Sequence, residues 1–499
     1  MLGIGIFFFA LLGCEQGKQE ETAEDATDSV VEDEEGESNV QISWEGEPLH
    51  NNVLPLGTLR RFVAERSGLL TIQNTGARDL SFVMAAVPAW ISTSETSAVL
   101  GSGELLEIAL QVDNRLQAGE LSDNLSLVFD QSYTVDIDLE VTIEPYVQYN
   151  LQDYPDVETT IRDLAQENNW IGGAVAVVQD QDIVFLEGFG YADMAEELRV
   201  DPYLHRFRWA SVAKGMAGVV STQLVRDGVL DLDASIATYY PSYVVPETYI
   251  SGDDTQLPIP AEKQHISMRQ LLSHTGCIQH YSNGLVNPEP SIFLTANPAI
   301  NTGMEWALEY WLDAPLLCVP GEQYNYSTFG YNLAGVVLEK ITQQSYEDVI
   351  TDRISRIIEA QTIFPDRFWD PAPNRVQGYK KISDAAQAEV DQDVSWKLAG
   401  GGFNSTPEDF AKYCAGLMGE ELITSQEKQN TLWNPPENAG EYGLGFNVFP
   451  NLITHSGSQQ SALTALKIYR SSNTCIVVML NSRWGSPWDM VNAVYENLP

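Results

Sequence analysis

The sequence predicts a multidomain chain: an all-β sandwich first, then an α+β domain in which helices flank an antiparallel sheet and a helical subdomain sits between its strands. Three observations carry this. Between Val40 and Glu144, short apolar runs alternate with period two and are separated by Gly and Asn turns, the pattern of half-buried strands. Beyond Glu144-Pro145, a helical stretch and a hairpin open a second region that two further strand patterns close; strands at both ends of a helical middle fit a sheet backed by helices. The chain is also 499 residues long, more than a single hydrophobic core organises.

Composition narrows the function classes. Apolar residues make up 44% and aromatics 10%, as in ordinary globular proteins. The formal net charge of −43 repels phosphates and anionic lipid surfaces, so no nucleic-acid partner is expected. The plain reading of that charge is the acidic shell of a soluble protein.

Residues 1–14 read as a lipoprotein signal peptide. Met1 to Gly13 is almost wholly apolar, yet too short to cross a bilayer, which takes about 20 residues. Leu11-Leu12-Gly13-Cys14 resembles a bacterial lipobox, in which Cys14 becomes the lipidated first residue. The rival reading is an ordinary secretory signal with an incidental cysteine. No Lys or Arg precedes the apolar run, which leaves a start further upstream open. With Glu15 next, the resemblance implies an exported protein anchored by lipid in the cell envelope, at the outer membrane. Residues 15–39 carry ten or so acidic side chains against Lys18 alone; with no apolar face to bury, they are expected to form a disordered tether.

Residues 40–145 are the predicted sandwich. Leu69 to Gly76, Leu80 to Val83, Leu105 to Val112 and Tyr133 to Val141 are its clearest strands. Their order, with Trp90-Ile91 and the turns at Gly76 and Gly119, resembles bacterial immunoglobulin-like domains that flank cell-surface hydrolases. Trp90 is read as core, and no chemistry is found here. In the second region, 152–499, a helix is expected from Val157 to Asn168. A hairpin follows, Gly172 to Val178 and Ile183 to Tyr191, turned by Gln179 to Asp182. The closing strands are Ala462 to Tyr469 and Thr474 to Asn481.

The chemistry-bearing stretch is Arg208-Trp209-Ala210-Ser211-Val212-Ala213-Lys214. It places Ser211 and Lys214 three residues apart at the head of an apolar helix, on one helical face. A lysine whose pKa is lowered by burial or neighbouring cations can take the serine proton. Further motifs follow in order: Leu271-Leu272-Ser273-His274, Tyr326-Ser327-Thr328-Phe329-Gly330-Tyr331, Gly400-Gly401-Gly402, Tyr442-Gly443 and His455-Ser456-Gly457-Ser458.

This ordered set, over about Val157 to Pro499, resembles the β-lactamase-like serine hydrolase family. That family takes in class C β-lactamases, D-alanyl-D-alanine carboxypeptidases, esterases and LACTB-like proteases, and the likeness is to the LACTB-like branch. It implies a β-lactamase/transpeptidase-like fold, with Ser211 as acylated nucleophile, Lys214 as paired base and Tyr326 as proton relay. It also implies an oxyanion hole from the backbone N–H groups of Ser211 and Ser458. Thr328, His455, Ser456 and Gly457 would contact substrate. Thr328 stands where relatives have asparagine, and His455 where many have lysine, so a permanent charge for gripping a carboxylate is lost. Gly457 would let substrate lie against the strand edge. Tyr281-Ser282-Asn283 matches the family's tyrosine triplet literally, but lacks the Pro-Gly lead and helix start around Tyr326, and is read as cleft rim.

The expected function is a cell-envelope serine hydrolase that cleaves an amide or ester of a small molecule or peptide, as a LACTB-like peptidase or carboxypeptidase. An esterase or β-lactamase is the alternative, and a catalytically inactive surface binding protein the alternative of another class. No cofactor or metal is expected: His274 and His280 lack zinc-ligand spacing such as H-E-x-x-H and read as loop or cap residues. Gly400-Gly401-Gly402 reads as a tight turn near the cleft. Besides Cys14, the chain has Cys277, Cys318, Cys414 and Cys475, without a C-x-x-C pair. Export permits disulfides; four cysteines allow three pairings, among which sequence alone does not choose, and Cys277–Cys318 is favoured because both segments fall near the implied cleft. Oligomeric state is left open.

Overall fold

The computed structural model describes residues 31–32, 38–49, 52–60, 66–112, 119–130, 133–144, 154–280, 303–383, 385–460 and 462–499. Cys14, most of the expected tether and Tyr281 lie outside them. The chain divides into two units, Met1–Pro145 and Tyr146–Pro499.

The first unit is strand-rich. Its strands are β1 (Val31–Glu32), β2 (Ser38–Trp44), β3 (Glu47–Pro48), β4 (Val53–Arg60), β5 (Arg66–Asn74), β6 (Leu80–Ala86), β7 (Ile91–Thr93), β8 (Ser97–Leu100), β9 (Leu105–Val112), β10 (Gly119–Phe129) and β11 (Tyr133–Glu144). One sheet runs β1-β2-β5-β9-β7 with β3 on β2, and the other β4-β11-β10-β6-β8. Period two explains the burial: in β6, Leu80, Phe82 and Met84 turn inward while Val83 faces out. Leu70, Ile72 and Ile108 of the first sheet and Leu125, Leu127 and Ile137 of the second join one apolar cluster. Trp90 packs against that cluster, half-buried, and its indole N–H donates to Asp123 at 3.3 Å. The sheet begins earlier than the sequence reading had it, because Val31 and Glu32 pair with Val40 and Ser38, inside the stretch expected to be tether.

In the second unit, seven strands form an antiparallel sheet. They are β12 (Gly172–Gln179), β13 (Asp182–Asp193), β14 (Leu198–Arg199), β17 (Asn447–Val448), β18 (Leu452–Gln459), β19 (Ala462–Tyr469) and β20 (Thr474–Leu480), in the order β14-β13-β12-β20-β19-β18-β17. The first hairpin and the last strands meet at β12 and β20, so the sheet closes the domain from both ends of the chain. Every residue of β20, and β12 as far as Val178, is buried, as required of central strands covered on both faces.

Helix α1 (Pro155–Glu167) and helix α5 (Pro487–Glu496) cover one face. Val157, Ile161, Met490, Val491 and Val494 pack there on Val175, Val177, Ile476 and Val478. Helix α4 (Pro407–Met418) lies against β12 and β20 on the other face, where Cys414 is bonded to Cys475. Helix α2 (Lys214–Arg226), helix α3 (Thr328–Thr342) and two short strands, β15 (Phe207–Arg208) and β16 (Phe403–Ser405), build the part that carries the motifs. Helix α2 is buried all round from Lys214 to Leu224, and most of its residues there are small or apolar, as a helix covered on every side requires. The expected Cys277–Cys318 bridge is present.

Candidate active site

Ser211 does not open helix α2. It sits in a 3₁₀ turn, Ala210–Ala213, and the α-helix starts at Lys214. The turn is fixed from behind by Trp209, which is fully buried and packs on Phe410 and Tyr413. The Trp209 backbone N–H donates to Phe403 O at 2.8 Å, its indole N–H donates to Ser405 Oγ at 2.8 Å, and its carbonyl accepts from Thr464 Oγ1 at 2.8 Å. Ala210, just before the serine, has φ +48°, a left-handed conformation that a side-chain-bearing residue keeps only where its surroundings impose it.

Lys214 reaches three oxygens. Its Nζ lies 3.1 Å from Ser211 Oγ, 3.4 Å from Thr328 Oγ1 and 2.6 Å from Gly400 O. It has no carboxylate partner among the described residues, and it is fully buried. Burial first, and the nearby Lys397 charge second, push its ammonium well below the usual lysine range. A neutral lysine has two N–H donors and one lone pair. Gly400 O and Thr328 Oγ1 occupy the donors, which leaves the lone pair for the Ser211 hydroxyl. Thr328 opens helix α3, is 2% exposed, and meets the lysine where the resemblance had it contacting substrate.

Tyr326 is brought to the same point: Lys214 Nζ stands 5.0 Å from its ring centre. Its ring packs on His274 at 4.2 Å and on His280 at 5.7 Å between centres. Both histidines serve as caps. Ser327 N–H donates to His274 Nδ1 at 3.0 Å and Thr328 N–H to His280 Nδ1 at 3.2 Å, so ring nitrogens satisfy donors that the helix α3 start leaves without intrahelical partners. Burial, then the Lys214 charge, lowers both imidazoles: His280 to about 4, His274 well below its usual value. The Cys277–Cys318 bridge, with Cα atoms 5.3 Å apart, joins the His274 loop to the segment leading into Tyr326.

His455-Ser456-Gly457-Ser458 lies on β18, whose partner β17 covers only Ile453 and Thr454. The edge from His455 to Gln459 therefore carries no strand among the described residues. The glycine is also needed for packing. A Cβ at Gly457 would lie 2.3 Å from Thr464 Oγ1, 2.4 Å from Trp209 O and 2.8 Å from Ala210 Cβ. Gly457 thus lets the strand press on the turn that carries Ser211. Ser456 is half-buried and Ser458 exposed beside it.

The side chain of His455 departs from its expected role of contacting substrate. It is 3% exposed, its Nε2 is 2.8 Å from Tyr442 Oη, and its Nδ1 is 2.8 Å from Ser456 O. Only the tautomer with the proton on Nδ1 satisfies both contacts, with the Tyr442 hydroxyl donating to Nε2. Burial, then the Lys214 charge, lowers His455 to about 3, so the ring is neutral and holds no carboxylate. Sequence reasoning passed over Gly400 and Tyr442 as participants. A backbone carbonyl has no sequence signature, although the run of glycines at 400–402 marks a close approach: a Cβ at Gly400 would meet Thr328 Cγ2 at 2.6 Å.

Against known proteins, the family model described as beta-lactamase matches residues 157–493. Protein flp of Staphylococcus aureus is 21% identical over 338 residues, covering 65% of this chain and 62% of its own length. The mitochondrial serine beta-lactamase-like protein LACTB of Homo sapiens is 25% identical over 368 residues, covering 58% of this chain and 64% of its own. The match thus spans less than two thirds of either relative. Among solved structures, a D-stereospecific amidohydrolase from Streptomyces superposes with a TM-score of 0.53 at 20% identity, over 70% of this chain and 100% of that one.

Proposed function

The chain belongs to the beta-lactamase family of serine hydrolases, and from that premise we propose that it cleaves an amide or ester through an acyl-enzyme on Ser211. The single observation that carries this is Lys214: buried, without a carboxylate partner among the described residues, and 3.1 Å from Ser211 Oγ. As Oγ bonds to the substrate carbonyl carbon, its proton passes to Lys214 Nζ. The oxyanion is held by the backbone N–H groups of Ser211 and Ser458. When the bond to the leaving group breaks, the lysine proton returns to that group by way of Tyr326. Water then releases the acyl group by the same route in reverse.

The neutral His455 favours substrates without a free carboxylate at that end of the strand, so an amidase or peptidase of LACTB-like character fits better than a carboxypeptidase or β-lactamase. An esterase is the second reading, favoured by the same absence of charge. An inactive binding protein would not need a base so stripped of counter-ions. The lipid anchor at Cys14 and a cell-envelope location remain part of the proposal, supported by two disulfides, which persist in oxidising compartments. The strand-rich unit is read as an immunoglobulin-like sandwich, supported by two sheets that share one apolar cluster.

Turnover of a nitrophenyl ester and a nitroanilide, compared between wild type and Ser211→Ala, tests the reading. The variant is expected to lose at least about a thousandfold in kcat. Equal turnover by the two proteins, or none by the wild type, overturns it.

A further inference from the structure

Beside the nucleophile turn lies a cavity of about 370 Å³ that the mechanism does not use. Its wall includes Asp193 at the end of β13, Arg208 of β15, Arg375, Glu389, Asp391 and Ala462 of β19. Two of these tie it to the reactive serine. Arg208 precedes Ser211 by three residues. Ala462 is the register partner of Gln459, the residue after Ser458. Gln459 in turn reaches Gly401, whose position packs on the Ala210 carbonyl.

The wall is built before any ligand arrives. Arg206 N–H donates to Asn374 O, Val376 N–H to Arg206 O, Gln377 N–H to Ala192 O and Glu389 N–H to Gly378 O. The charges are mostly matched. Arg208 and Arg375 each pair with both Asp366 and Asp391, and Glu389 pairs with Arg483 at 3.0 Å. Burial alone would raise the Asp366 carboxyl, but the two guanidinium groups outweigh it and hold it below the usual range.

Asp193 is the exception. Its Oδ1 accepts from Ala195 N–H at 2.8 Å and from Tyr379 Oη–H at 3.3 Å. Its Oδ2 accepts nothing among the described residues, and no basic side chain is paired with it there. The cavity therefore presents one carboxylate without a basic partner among the described residues, on a wall that also holds Arg208, three residues before Ser211.

We propose that this cavity is a recognition subsite for a cationic amino group of the substrate, which Asp193 accepts as a hydrogen-bonded ion pair. The inference rests on the hydrolase reading for its purpose but not for its test. Calorimetric binding to the full chain carrying Ser211→Ala compares ω-amino amides of increasing chain length with amides in which a methyl replaces the ammonium. At physiological ionic strength, charges beyond about 8 Å are screened, so the general acidity of the chain does not supply the difference. At the chain length that reaches the cavity, the ammonium ligand is expected to bind about tenfold more tightly. Adding Asp193→Asn should remove that ratio, and Glu389→Gln, which strips a charge from another wall segment, should reduce it in a protein whose melting temperature shows that it is folded. Equal binding of charged and uncharged amides at every length, or a ratio that survives Asp193→Asn, overturns the subsite. Cation-selective binding with no turnover by wild type leaves the subsite standing and sinks the hydrolase reading; turnover without selectivity does the opposite.

Discussion

The Tyr442 hydroxyl donates to His455 Nε2 across 2.8 Å, while Nδ1 of the same ring is held by the Ser456 carbonyl. A residue that stands in the sequence where many relatives carry a charged lysine is thereby a neutral strut between the sheet edge and the tyrosine cluster. Tyr442→Phe removes the donor and leaves a buried lone pair unsatisfied. The expected cost is about 1–3 kcal/mol of stability, measured by denaturant unfolding, with no new inflection between pH 5 and 8 in the activity profile.

Acid should unfold the protein at milder pH than its acidic composition suggests. His205 is lowered to about 4, His280 to about 4 and His455 to about 3, in each case chiefly by burial. In the unfolded chain these groups titrate near 6.5. A depressed folded pKa means that stability is fully present above that value and is lost as pH falls towards 3–4. Each group contributes roughly 1.4 kcal/mol per pH unit in that window. Glu187 works in the opposite sense: burial raises it to about 7, so it loses stability as pH rises from its ordinary range to 7. His274 is lowered in the same sense and Glu339 raised in the sense of Glu187, each chiefly by burial; the depressed histidines outnumber the raised glutamates, so the melting temperature should fall from pH 7 to pH 5. His455→Gln should flatten that slope.

Gly457→Ala places a methyl 2.4 Å from Trp209 O and 2.8 Å from Ala210 Cβ. The strand must then move off the serine turn. Loss of acylation is expected to exceed loss of stability, read by comparing active-site labelling with thermal unfolding of the same preparation.

The two disulfides should separate in their effects. They close segments with sequence separations of 41 and 61, and chain-entropy arguments give each about 4 kcal/mol. Cys414–Cys475 joins α4 to β20 in the core, so its removal should lower the melting temperature with catalytic constants unchanged in the folded fraction. Cys277–Cys318 joins the His274 loop to the approach to Tyr326. Its removal should lower kcat as well.

The strands around the site were legible because their pattern is local. Ala462–Tyr469 runs as expected, the hairpin at 172–193 is two residues longer, and α1 begins at Pro155 rather than Val157, where a proline costs no helical hydrogen bond. Ser211, Lys214, Tyr326 and the His455 strand were legible as a set because their order fits a known pattern. What stayed hidden was relational. The Gly400 carbonyl, the Tyr442–His455 contact and the partners that His274 and His280 cap depend on which segments meet, and no single segment records that. Gly457 shows the limit well: its identity was readable, but its packing on the Trp209–Ala210 backbone behind it was not.

The account stands on acylation of Ser211 with Lys214 taking its proton. Intact-protein mass spectrometry after exposure to a fluorophosphonate, with peptide mapping of wild type beside Ser211→Ala, tests that most directly. The account predicts one adduct, on the peptide carrying Ser211, and none in the variant. No adduct in the wild type, or an equal adduct in the variant, would contradict it.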